Sequence, residues 1–224
     1  VIHYHGTPIS PRTQLLKMGG RNFCVSFAAP QDFKTCLAIG QTVMLDNGAF
    51  SVFTKGKTLD LDGYYAWIEP VLAPPHWAVM PDAIGGDVEA QHKLLQTWPW
   101  RTLGYDNCAP VFHLHMPITY LFFLCNAYRK VCLGSSAEFW DTSTVMWERR
   151  MDDIFNALVN HYGRVPWIHG LRMLGKADNR WPLASADSTN VAQNFKRDTG
   201  CAECKADTID RINPTPAWQG GLFA

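Results

Sequence analysis

Short β-rich runs alternate along this chain with longer stretches in which apolar residues recur every three or four positions. Eight runs read as strands: VIHYHG at 1–6, NFCVSFAA at 22–29, QTVMLD at 41–46, HWAVMPD at 76–82, CAPVFHLH at 108–115, KVCLGSS at 130–136, PWIHGLRM at 166–173 and PLASADS at 182–188. Residues 61–72 have helical spacing, and Pro70 must end or kink that helix. Residues 86–98 read as a helix with Asp87 as its N-cap and acids in the first turn. Residues 143–163 keep an apolar stripe for about five turns, and Gly163 can stop it. The segment after Gly6 and the segment 30–40 each supply a short helix.

Strands that alternate with helices build parallel sheets, and eight is the number that closes a barrel. The pattern therefore predicts an α/β fold, a compact single-domain (β/α)8 TIM barrel over residues 1–224, with a tail from about 195 to 224 after the last strand. A doubly wound open sheet is the rival, but no GxGxxG follows a first strand.

In a barrel the strand ends converge on one mouth, where the chemistry sits. Those ends carry His3 and His5, then Asp46, Asn47 and Gly48, then Asp82, His113 and His115, Gly134 with Ser135 and Ser136, His169, Gly170 and Arg172, and finally Asp187 and Ser188. A strand-ending Asp is often only a helix cap. Three of them around one mouth suit chemistry at an anomeric carbon, where one carboxylate attacks or stabilises and another moves a proton. The His3/His5 and His113/His115 pairs at i, i+2 each lie on one strand face, an arrangement that metal-dependent barrel hydrolases use; this is an alternative reading. The CxxC at Cys201–Cys204 offers two ligands where zinc needs four, and it lacks the preceding strand of a redox motif, so no metal is expected there and the thiols read as incidental. Gly85 and Gly86 before a helix suggest a phosphate cradle, although a plain loop explains them as well.

Charge adds one asymmetry to a chain whose formal net charge is zero. Residues 58–92 hold six acids and no Lys or Arg, whereas Arg172, Lys176, Arg180, Lys196 and Arg197 cluster late in the chain. A basic face of that kind can hold nucleic-acid phosphates. Seven cysteines, several inside apolar runs, read as reduced thiols. No signal-peptide pattern is seen, and the apolar run 118–128 is too short to span a bilayer, so a cytoplasmic protein without a membrane partner is expected.

The ordered strand ends resemble the tRNA-guanine transglycosylase superfamily. LDNGAFSVFTKGK at 45–57 is similar to its Asp-Ser-Gly-Gly-Phe-Gln segment, VMPDAIGGD to its next Asp-ended strand, and VFHLH to the strand ending in a base-recognising Gln. VCLGSS resembles its Gly-Gly-Leu turn, WIHGLRMLG its Leu-Met-Gly-Val-Gly strand, and SADSTN the strand with the nucleophile. The resemblance implies that Asp187 attacks C1′ and expels guanine, leaving a covalent glycosyl-enzyme. Asp46 would be the general acid/base, and Asp82 would bind the base edge. Asn47, Gly48, Phe50, His113, His115, Gly134, Ser135, His169, Gly170 and Ser188 would surround the base, and no cofactor would be needed.

The tRNA enzymes carry a zinc subdomain with three clustered cysteines and a later His; here only Cys201 and Cys204 stand near that place, so zinc lacks a full ligand set. The resemblance therefore points to the branch that exchanges guanine in DNA for a 7-deazaguanine such as 7-cyano-7-deazaguanine, a relative of queuosine chemistry. The tRNA reaction is the alternative, and a non-catalytic nucleobase-binding barrel is another. A partner protein in a modification complex fits either exchange reaction. A duplex base would have to be flipped out to reach the mouth, where Phe50, Trp181 or Trp218 could stack on it.

Overall fold

The computed structural model describes residues 1–177 and 180–211; Trp218 lies outside the described residues. Nine strand segments form one all-parallel sheet: β1 (Ile2–Gly6), β2 (Asn22–Ser26), β3 (Thr42–Asp46), β4 (Trp77–Val79), β5 (Cys108–Ala109), β6 (Val111–His113), β7 (Val131–Gly134), β8 (Ile168–Gly170) and β9 (Ser185–Ser188). Their spatial order is β5-β4-β3-β2-β1-β9-β8-β7-β6. The two edge segments, β5 and β6, are joined by Pro110 alone. The sheet therefore runs as a nearly closed barrel. The helices around it are α1 (Arg12–Leu16), α2 (Phe33–Ile39), α3 (Ala49–Thr54), α4 (Leu61–Ile68), α5 (Val88–Gln96), α6 (Trp100–Leu103), α7 (Ile118–Ala127), α8 (Val145–Tyr162), α9 (Asn190–Asp198) and α10 (Ala202–Asp210).

All eight expected strands are present, most of them shorter than their apolar runs, and the fifth is split. Pro110 has no N–H to give to a ladder, so pairing cannot pass through it unbroken. Its carbonyl still accepts the Cys132 amide at 2.9 Å. The expected helices formed as well. Asp87 accepts the Ala90 amide at 2.8 Å, and Pro70 follows the end of α4. Thr144 caps α8 through the Trp147 amide, and Gly163 ends it at φ 68°. In the segment after the last strand, where a tail from about 195 is expected, the described part is occupied by the end of α9 and by α10.

Alternation along each strand divides the core. Outward side chains such as Phe23, Val25, Val43, Leu45, Phe112 and Leu133 pack under the helices. Inward ones, among them Tyr4, Cys24, Met44, Trp77, Val111 and Cys132, fill the barrel. Burial on both faces is why the strands read as near-continuous apolar runs. The polar atoms of the filling are paired inside it. The Trp77 indole donates to the Tyr4 hydroxyl at 2.8 Å, and that hydroxyl meets Thr42 Oγ1 at 2.9 Å. No helix of the described residues is long and apolar enough to cross a membrane.

His3 and His5 do not face the barrel interior, where Tyr4 between them points. They face outward, and each donates to Asp210 Oδ1 on α10, at 2.9 and 3.0 Å. Arg21 also pairs with Asp210, and with Asp207. The histidine pair of β1 thus anchors a helix, which corrects its reading as part of the mouth. Burial opposes ionisation of Asp210, but the hydrogen bonds from His3 and His5 and the pull of His5 and Arg21 outweigh it and hold this carboxyl well below its usual value. A depressed carboxylate stabilises the fold above its unfolded pKa and stops doing so as pH falls. Asp210→Asn is therefore expected to lower unfolding free energy by about 1–3 kcal/mol at pH 7, and the gap from wild type should close progressively below about pH 4. Urea unfolding across that range measures both.

Candidate active site

Asp46, Asp82 and Asp187 all lie at the C-terminal end of the sheet, and each belongs to a different strand or the loop that follows it. β3 ends at Asp46, where Gly48 turns the chain into α3 at φ 78°. That left-handed turn aims the Gly48 amide at Asp46 Oδ2, 3.1 Å away. A Cβ on Gly48 would come within 3.0 Å of Ala28. Burial pushes the Asp46 carboxyl up to about 6; the charges of Asp187 and Asp82 add to this, while hydrogen bonds from Ser26 and the Gly48 amide oppose it.

Asp82 is held from three sides. Asn47 Nδ2 donates to Asp82 Oδ1 at 3.0 Å and to the Met80 carbonyl at 2.8 Å. The buried Gln91 of α5 brackets the loop, accepting from the Ala83 amide at 2.9 Å and donating to the Pro81 carbonyl at 3.3 Å. His113 Nε2 stands 3.0 Å from Asp82 Oδ2, but off the line a hydrogen bond requires, and neither nitrogen of this buried ring has a hydrogen-bond partner. Gly134 makes room for it, because a Cβ there would sit 2.9 Å from His113 Nδ1.

Asp187, on the inward face of β9, receives two donors on one oxygen. His169 Nε2 lies 3.2 Å and the Arg172 amide 2.8 Å from Oδ1. His169 is turned by Ser185, which meets its Nδ1 at 2.7 Å. Among the described residues no hydrogen bond reaches Asp187 Oδ2. The Arg172 amide arrives at Asp187 because Arg172 adopts φ 56°, a conformation that costs a side-chain-bearing residue about 1 kcal/mol or more.

The Arg172 guanidinium lies 3.1 Å above the Phe50 ring centre, and Phe50 stacks on Trp140 at 5.2 Å. Arg172 and Trp140 follow the neighbouring strands β8 and β7, whereas Phe50 follows β3 across the barrel, so the stack spans its mouth. Desolvation lowers the Arg172 guanidinium from its usual value against the pull of Asp187, Asp46 and Asp82. One cation thus faces three carboxylates. A separate cavity of about 700 Å³ opens beside the mouth, lined by residues that include His115, Phe139, Met146 and Arg150; none of the three carboxylates lines it.

Several expected contacts point elsewhere. Ser135 Oγ accepts the Trp147 indole at 2.9 Å, Ser188 Oγ accepts the Asn190 amide at 3.0 Å at the start of α9, and a Cβ on Gly170 would meet Met173 and Leu183. Trp181 is buried and donates to Asp152 at 3.0 Å, so it is no stacking platform. Lys176 and Arg180 are drawn to Glu148, and Arg180 to Asp152 as well. Lys196 and Arg197 sit in the last turn of α9, about 10 Å along the helix from its first residue at the mouth. Of that basic group only Arg172 faces the carboxylates. His115 bridges Ser136 Oγ at 3.0 Å and the Gly86 carbonyl at 2.8 Å. The Gly86 amide is bonded to the Ala83 carbonyl, so it is turned into the loop and does not line a phosphate cradle. Ser26, Gln91, Trp140 and Ser185 were not foreseen. Among the described residues no group of three His, Cys, Asp or Glu side chains is arranged to hold a metal ion. Compared with family models, curated proteins and solved structures, the chain matches none.

Asp46 is expected to titrate near pH 6 in carbon-13 NMR, and Asp187→Asn should move that midpoint down by removing a neighbouring charge. A carboxyl raised from 3.8 to about 6 on folding costs nothing below its unfolded value; the cost builds as pH rises from there to about 6 and is fully present above it. Asp46→Asn should therefore stabilise the protein by roughly 1–3 kcal/mol at pH 8 relative to its effect at pH 3, as read by urea unfolding.

Proposed function

We propose that this chain is a base-exchanging transglycosylase acting on guanine in nucleic acid, DNA in preference to tRNA. The observation that carries the reading is the convergence of Asp46, Asp82 and Asp187 on one mouth, with Asp46 raised to about 6. That arrangement provides a proton-carrying carboxyl beside a second carboxyl with one oxygen open. Both are needed for displacement at an anomeric carbon. On this reading the barrel is a (β/α)8 barrel whose fifth strand, 108–113, is interrupted at Pro110.

In the proposed reaction Asp187 Oδ2 attacks C1′ of the flipped nucleotide while guanine leaves. His169 and the Arg172 amide hold Oδ1, which fixes the carboxylate's orientation. Asp46 gives a proton to the departing base and then takes one from the incoming 7-deazaguanine, whose nitrogen bonds to C1′ as the bond from C1′ to Asp187 breaks and the carboxylate is released. Asp82 and the unpartnered His113 face the base edge, and a base that fills the mouth takes the place of Arg172 above Phe50. His113 stands where the resembling family carries Gln, so the edge it reads differs from that family's. The metal-dependent hydrolase reading loses half of its histidine set, because His3 and His5 face α10.

Incubation with guanine-labelled duplex DNA, guanine-labelled tRNA and 7-cyano-7-deazaguanine tests the proposal. Label should leave the DNA, and a covalent protein–DNA adduct should form at Asp187. Asp187→Asn should abolish the adduct and slow exchange by about 10³-fold or more. The rate for wild type should bend near pH 6, and Asp46→Asn should lose that bend. Release from tRNA alone would transfer the reading to tRNA; release from neither polymer, with no adduct, rejects it.

A further inference from the structure

Seven cysteines divide into two groups. Cys24, Cys36, Cys108 and Cys132 are buried and Cys125 is half-buried. Burial pushes Cys36, Cys108 and Cys125 up to about 12, and Cys24 and Cys132 well above the usual thiol range. These five are poor nucleophiles. Cys204 is exposed and Cys201 half-buried, and both lie at the start of α10.

Cys201 is the N-cap of α10, in an extended conformation, and its Sγ accepts the Cys204 amide at 3.2 Å. The backbone around them is braced. Gln14 Oε1 of α1 accepts the Ala202 amide at 3.0 Å, and the Thr199 hydroxyl donates to the Cys201 carbonyl at 2.7 Å. A dithiol on a braced helix start, with the first sulfur accepting the amide of the second cysteine and the second cysteine exposed, has the placement that thiol–disulfide exchange requires. Of the context that this CxxC is expected to lack as a redox motif, the helix start is present, while the preceding element is α9 and not a strand.

We propose that Cys201 and Cys204 form an exchange-active dithiol site, in which Cys201 attacks and Cys204 resolves, with small exposed disulfides as its substrate class. In the first step the Cys201 thiolate bonds to one sulfur of the substrate; the substrate S–S bond breaks and one thiolate leaves. In the second, Cys204 loses its proton to solvent and attacks the Cys201 sulfur, releasing the second thiolate. The protein dithiol is oxidised by two electrons to the Cys201–Cys204 disulfide, and the substrate disulfide is reduced to two thiols. The order of attack follows from the asymmetry of the pair. Hydrogen bonds from the Cys204 side chain and amide lower the Cys201 thiol below its usual value, and Lys17 adds to this; the bond to Cys201 raises Cys204. The proposal is independent of the chemistry at the barrel mouth.

The test uses the full reduced chain with oxidised glutathione at pH 7.5. Wild type should lose two hydrogens by intact mass, with Cys201 and Cys204 recovered as one cross-linked peptide pair. Cys204→Ser should stop at a mixed disulfide carrying one glutathione on Cys201. Cys201→Ser, which keeps a good N-cap residue, should modify Cys204 at least about tenfold more slowly than Cys204→Ser modifies Cys201. Equal rates at the two positions, preferential reaction at any of the other five cysteines, or no Cys201–Cys204 cross-link in wild type would each overturn the proposal.

Discussion

Pro110 sits where a strand changes its pairing partner. Before it, Cys108 and Ala109 pair with β4; after it, Val111 to His113 pair with β7. Without this covalent link β4 and β7 would belong to two remote edges of an open sheet, and Asp82 would be far from His113. A residue that cannot donate suits the switch, because no N–H is stranded between two ladders. Closure also removes the exposed edges that an open parallel sheet would present. It also turns inward side chains into a filled interior, where Trp77, Tyr4 and His169 pack edge to face. The mouth is a rigid ring because the layers beneath it are solid.

On that ring, like charges are crowded and incompletely neutralised. Each carboxylate is oriented by a different kind of donor: a glycine amide and a serine at Asp46, a side-chain amide at Asp82, an imidazole and a strained amide at Asp187. None of these donors is a cationic Lys or Arg side chain. At Asp46 the donors are neutral and fix direction, while burial and the neighbouring carboxylates raise its proton affinity. A fold selected for stability alone would pair or delete such groups. Three of them retained together, with a left-handed Arg beside them, is strain concentrated in one place.

Much of this architecture could be read from periodicity. Alternating strands and helices specified a parallel barrel because burial on both faces leaves a continuous apolar signature in the strands. Strand ends named the three aspartates because the chain must turn there. Side-chain direction was harder to read. His3 and His5 share a face, as their spacing requires, but β1 begins so that Tyr4 takes the interior and both imidazoles point out; one residue of register decides this. The late basic residues looked like one patch because they are close in sequence, whereas Glu148 and Asp152 of α8 draw Lys176 and Arg180 aside. No local pattern marks such long-range partners. Gln91 was missed for the same reason. It lies on an ordinary amphipathic helix, and its amide matters only because the loop of Asp82 passes over it.

The stack of Arg172, Phe50 and Trp140 has a consequence for any occupant of the barrel. A flat molecule that settled on that face of Phe50 would displace the guanidinium, a counter-charge to all three acids. The Asp46 carboxyl, already raised by burial, would then rise further. Arrival of such a ligand would thus be coupled to uptake of a hydrogen ion, and the empty protein and the filled one would differ in charge.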